Sequence, residues 1–111
     1  MAKVFVADDE KVIREFIRSA LALEGTHHVA VTASTFQEAI AMIPMAKEQG
    51  CSVAIVDGSI SSDNDGEDIA GVLRQMIENI RIVSLSGTLR RWGHVNLQKP
   101  IHVADLINAI G

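Results

Sequence analysis

Short apolar runs alternate with stretches of helical periodicity along the whole chain, and this alternation restricts the fold more than any other feature. "VFVA" at Val4 to Ala7 reads as a strand, and Val12, Ile13, Phe16, Ile17, Ala20 and Leu21 follow at helical spacing until Gly25 supplies a stop. "HVAVT" is a second strand. Ser34 with Gln37, or Thr35 with Glu38, offers a capping box before Phe36, Ala39, Ile40 and Ile43, and Pro44 is expected to kink or end that helix. "SVAIV" is a third, continuously apolar strand. The polar loop "DGSISSDNDGED" then leads into a helix with Ile69, Ala70, Val72, Leu73, Met76 and Ile77 on one side. "RIVSL" is a fourth strand and "HVNLQ" a weaker fifth. Pro100 is expected to open a last helix striped by Ile101, Val103, Leu106, Ile107 and Ile110.

Strands apolar on both faces, each followed by a helix, imply a parallel sheet covered on both sides and joined by right-handed crossovers. The class is doubly wound α/β. Five strands fit the flavodoxin-like order 2-1-3-4-5, whose ligand crevice lies beyond the carboxyl ends of strands 1 and 3. Strand 1 ends in Asp8-Asp9, and strand 3 ends in Asp57.

Composition sets the outer bounds. A chain of 111 residues with 48% hydrophobic content is expected to form one domain, residues 1–111, around a compact core. The formal net charge of -4, with ten Lys and Arg scattered among fourteen acids, argues against direct nucleic-acid binding. The lone Cys51 excludes an internal disulfide, and no apolar run approaches the roughly 20 residues of a membrane span, so a cytoplasmic protein is expected. Cys51 reads as an inert core residue. His27, His28, His94 and His102 show no ligand pairing, and Asp63, Asn64, Asp65 and Gly66, part of a calcium-loop pattern without its later Glu, read as a solvated turn.

One acid after the first strand is explained by capping of the next helix, but the second must reach solvent or find a cation. Asp8, Asp9 and Asp57 converge in the order above, and three ionised carboxylates repel without a counter-charge. Mg2+, a hard cation that takes carboxylate, water and phosphate oxygens, satisfies them. Strand 4 adds Ser86 and strand 5 adds Lys99, a hydroxyl and an ammonium suited to hold phosphoryl oxygens.

At these positions "VFVADDE", "VAIVDG", "VSLSG" and "QKP" resemble, in order and over nearly the whole chain, the motifs of bacterial response-regulator receiver domains of the chemotaxis-regulator type. The resemblance implies that Asp57 accepts a phosphoryl group from a histidine kinase or phosphotransfer protein. It further implies that Asp8, Asp9, Asp57 and the backbone carbonyl of Ser59 hold Mg2+, with Asp9 the more direct ligand of the pair, and that Ser86 and Lys99 contact the phosphoryl group. Asp57 would act as a carboxylate nucleophile, with Mg2+ and Lys99 offsetting negative charge. Such a protein is a signalling phosphoacceptor that acts through a downstream protein partner. It is not a turnover enzyme beyond its own phosphorylation and dephosphorylation.

Two departures stand against the pattern. Only twelve residues, Gly87 to Gln98, separate Ser86 from Lys99, so the eight from Gly87 to His94 replace a crossover that ordinarily takes a dozen or more. The fourth helix must shrink to a turn or vanish, and mobility is expected there. Asn96 also stands where the family places the Tyr or Phe of its switch, and Trp92 is the nearest aromatic, a partner contact or a packing lid. These departures keep open a phosphorylation-independent interaction module of the same fold. A Mg2+-dependent phosphohydrolase is the remaining rival, opposed by the lack of a second acid two residues after Asp57.

Overall fold

The computed structural model describes residues 2–111. Its elements run β1 (Lys3–Ala7), α1 (Lys11–Glu24), β2 (His28–Ala33), α2 (Phe36–Glu48), β3 (Val53–Asp57), α3 (Asp65–Met76), β4 (Arg81–Ser86), β5 (Val95–Gln98) and α4 (Val103–Ile110). All five strands pair in parallel in the order β2-β1-β3-β4-β5, the flavodoxin-like arrangement expected from the alternation.

Strand periodicity divides the core into two layers, because successive side chains point to opposite faces of a sheet. Phe5 and Ala7 of β1 pack with Ile43 of α2 and with Ile69 and Leu73 of α3 on one face. Val4 and Val6 pack with Ile17 and Leu21 of α1 and Leu106 of α4 on the other. All are fully buried, and each of them larger than Ala7 contributes about 2 kcal/mol of transfer free energy. Cys51 lies in the first layer, where burial pushes its thiol pKa up and leaves it an unreactive core group.

Helix boundaries follow local chemistry with three corrections. Gly25, at φ 84°, ends α1 in the left-handed conformation that costs glycine least. Thr35 caps α2 by accepting from the Glu38 amide, while the Glu38 carboxylate reaches back to the Ser34 amide. Pro44 does not end α2: the helix continues to Glu48, since one missing N–H is tolerated where the surrounding side chains remain packed. Pro100 does not open the last helix, which starts at Val103 after His102 in an extended conformation. Finally, Asp65 is no solvated turn residue. It is buried as the first residue of α3 and accepts from the amides and hydroxyls of Ser61 and Ser62, which close the preceding loop around it. Burial alone would raise its pKa, but these donors hold it below the ordinary value.

Between β4 and β5 there is no helix. The connection crosses the sheet face covered by α2 and α3, with Trp92 packed against that core layer as a lid. Asn96 secures it: its Oδ1 accepts from the Gly93 amide and the Ser84 hydroxyl, and its Nδ2 donates to the Gly93 carbonyl. Its amide therefore staples a crossover too short for a helix, a role an aromatic ring could not fill. His94 is paired with Ile82 through both its amide and its Nδ1, and the Trp92 carbonyl accepts from Arg74. Gly87, Thr88 and Leu89 are exposed, and the Gly87 carbonyl accepts from Gln98 Nε2.

Candidate functional site

The carboxyl ends of β1, β3, β4 and β5 bring Asp8, Asp57, Ser86 and Lys99 to one edge of the sheet. Asp8 is only 1% exposed and Asp57 3%, because Asp8 follows the buried run Val4–Ala7 and Asp57 ends the buried strand β3. Neither Asp8 nor Asp9 caps α1. The N-cap residue is Glu10, which lends no side-chain bond, and Asp8 Oδ1 accepts instead from the Glu10 amide at 2.8 Å. Its other oxygen, Oδ2, accepts no hydrogen bond of good geometry and faces the Lys99 ammonium at 3.2 Å. A buried carboxylate oxygen with a single ionic neighbour is free to accept a further cation or donor, since such atoms rarely go unsatisfied.

Lys99 is the counter-charge. Its Nζ lies 2.9 Å from Glu10 Oε1, 3.2 Å from Asp8 Oδ2 and 3.6 Å from Asp57 Oδ2. Burial works against the ammonium, yet Glu10, Asp8 and Asp57 together outweigh it and raise its pKa. One cation does not balance these acids. Burial raises the Asp8 pKa despite the Glu10 amide and Lys99. Burial and then the Asp8 charge push Asp57 up to about 7, against the Ser59 amide and Lys99, with Asp9 pushing the same way.

The acids form a hard-cation donor set. Oxygens of Asp8, Asp9 and Glu10 lie within 4.8 Å of one another, with Asp9 and Glu10 exposed beside the buried Asp8. Together with Asp57 they offer oxygen ligands only, the set Mg2+ prefers. Ser59 adjoins them through its amide, which donates to Asp57 Oδ1 at 3.2 Å, while its hydroxyl donates to Asp63. Glu10 escaped the reading of the motifs, although it directly follows the acid pair; only its contact with Lys99 gives it a place. Replacing Asp9 with Ala is expected to weaken Mg2+ binding by roughly tenfold or more. A Mg2+ titration followed by NMR at the Asp8 and Asp57 amides checks this, and equal affinities would remove Asp9 from the ligand set.

A second missed residue is Arg90. Its Nε donates to Ser86 Oγ and its Nη1 to the Asp63 carbonyl, both at 3.2 Å. Ser86 itself is 3% exposed, and its carbonyl accepts from the Lys99 amide, which ties β4 to the end of β5. No sequence signal marks Arg90, because it sits in the irregular connection.

No protein-family model matches the chain, and no curated protein matches it. Solved structures do. A CheY-like receiver-domain protein from Methanospirillum hungatei superposes with a TM-score of 0.82 at 18% identity, covering 99% of this chain and 90% of that one. A response-regulator receiver domain from Clostridium thermocellum gives 0.80 at 25% identity, over 99% and 91%. The CheX–CheY complex from Borrelia burgdorferi, holding BeF3 and Mg, gives 0.85 at 15% identity, over 98% and 86%. The chain has the fold of CheY-like response-regulator receiver domains, the fold of two-component signalling.

Proposed function

We propose that this protein is a phosphoacceptor of a two-component phosphorelay, with residues 1–111 as a single receiver domain. The observation that carries the reading is the buried Asp57 carboxylate, set 3.6 Å from the Lys99 ammonium at the strand edge where Asp8 and Ser86 also end. An Asp57 oxygen attacks phosphorus of a phosphohistidine on a kinase or phosphotransfer protein. The P–N bond breaks, its electron pair returns to the imidazole, and an acyl phosphate remains on Asp57. Lys99 neutralises charge on the incoming oxygens, and the Ser86 hydroxyl offers them a donor. Asp8, Asp9, Asp57 and the Ser59 carbonyl, with Glu10 beside them, are the residues to hold Mg2+. When bound, this ion supplies positive charge that keeps the carboxylates ionised and polarises phosphoryl oxygens.

The protein works in the cytoplasm and signals through a downstream protein rather than by turnover. Among the described residues no helix is long and apolar enough to cross a membrane. The deciding experiment is intact-mass spectrometry after incubation with acetyl phosphate and Mg2+, run beside Asp57→Ala. One phosphoryl adduct on the wild type alone is expected. The Asn96 staple and the missing helix between β4 and β5 favour one alternative, a phosphorylation-independent interaction module. Absence of an adduct, together with no response to beryllofluoride, would establish that alternative.

A further inference from the structure

The crevice holds one charge that the reading above leaves unused. Arg90 is half-buried in the β4–β5 connection, and among the described residues no carboxylate lies within ion-pairing distance of its guanidinium. Asp63 offers only its backbone carbonyl, and Ser86 only its neutral hydroxyl. Gly58 fixes where the guanidinium lies: a Cβ there would stand 2.7 Å from Arg90 Nε and 3.1 Å from Ser86 Oγ. The group is thus packed over the residue that follows Asp57, against the hydroxyl at the end of β4. Of the five N–H groups of an arginine, these contacts engage two, so the fork retains donors for an oxyanion.

We propose that Arg90 is a second phosphoryl-binding cation, which takes oxygens of the group carried by Asp57 from the side of Ser86, away from Lys99. The inference rests on the reading of Asp57 as phosphoacceptor. In the unmodified protein the guanidinium rests on Ser86 Oγ and the Asp63 carbonyl, neutral partners that a doubly charged phosphoryl group outcompetes. Trp92 follows two residues later, packed against the α2 and α3 layer and close to Gly66 at the start of α3. Movement of Arg90 toward the phosphoryl group therefore shifts the Trp92 segment. The short connection reports occupancy without a helix and without an aromatic at position 96.

The test titrates beryllofluoride, in the presence of Mg2+, into the full chain as wild type, Arg90→Gln, Arg90→Lys and Asp57→Asn. Affinity is read by calorimetry, Trp92 by fluorescence and folding by melting temperature. Arg90→Gln is expected to bind roughly tenfold more weakly and to lose the Trp92 response, with Arg90→Lys in between. Wild-type affinity in Arg90→Gln would overturn the inference, and so would a lowered melting temperature with affinity unchanged, the signature of a mere brace. A wild type that binds no beryllofluoride, or binds it as Asp57→Asn does, would overturn the phosphoacceptor reading and this inference with it.

Discussion

Replacing Lys99 with Met is expected to lower the stability of the metal-free protein by about 3 kcal/mol at pH 8, with a deficit that shrinks toward pH 5. Removing the ammonium leaves Asp8 and Asp57 charged, buried and uncompensated, with Glu10 alongside. Lys99 has a raised pKa and stays charged from pH 5 to pH 8, so its own titration adds no pH dependence in that window. The acids titrate instead. Asp57, pushed up from 3.8 to about 7, takes up a proton in the folded state that the unfolded chain does not bind between those values. Ionised Asp57 therefore costs stability above pH 7, and the cost fades as the pH falls; Asp8, raised in the same direction, adds to it. The wild type should accordingly be more stable at pH 5 than at pH 8, by about 2 kcal/mol, a reversal of ordinary acid weakening. Urea unfolding in a chelator at pH 8, 6.5 and 5 measures both effects. Added Mg2+ should restore part of the loss at pH 8. A variant as stable as wild type at pH 8, or a deficit independent of pH, would contradict the electrostatic account.

Gly66→Ala is expected to cost about 3 kcal/mol and to abolish phosphoryl uptake. A Cβ at this position would collide with the Asp57 carbonyl oxygen and stand 2.6 Å from Gly58 Cα and 2.7 Å from Trp92 Cζ2. Two of these neighbours are backbone of the turn at Asp57 and Gly58. They cannot give way without moving Asp57, and the Gly66 amide already bonds the Gly58 carbonyl at 3.2 Å. Gly71, in the same helix, has nothing within 4 Å of its added Cβ and serves as the control. Gly71→Ala should stabilise by up to about 1 kcal/mol, the helix-propensity difference alone. Urea midpoints and intact-mass adducts on the two variants separate close approach from propensity. Equal behaviour of the pair would show that α3 can shift away from Gly58.

Strand and helix order was legible because it is written in local periodicity. Two-residue and 3.6-residue patterns report which faces are buried, and strand ends follow where those patterns break. Asp8, Asp57 and Ser86 could be named for that reason, each standing at the end of a mainly apolar strand, and Lys99 by its place after the weaker fifth strand. Even the loss of a helix between Ser86 and Lys99 was a matter of counting residues against the length of a parallel crossover. Boundaries at the prolines were not legible. Pro44 and Pro100 carry a local preference, which packing of α2 overrode in one case and the extended approach to α4 in the other.

Charge partners depended on the assembled fold. Asp65 looked like one more acid in a polar loop, and only the folding of Ser61 and Ser62 around it makes it a buried acceptor. Glu10 meets Lys99 across 89 positions of chain, and Arg90 meets the Asp63 carbonyl across 27, separations that no local pattern encodes. By itself, then, the sequence determined the α/β class, the sheet edge and the acids that end its strands, since each follows from burial repeated at a fixed period. Only the tertiary structure decided the partners of Glu10, Asp65 and Arg90, because polar side chains in and beside irregular segments take positions set by the groups packed around them.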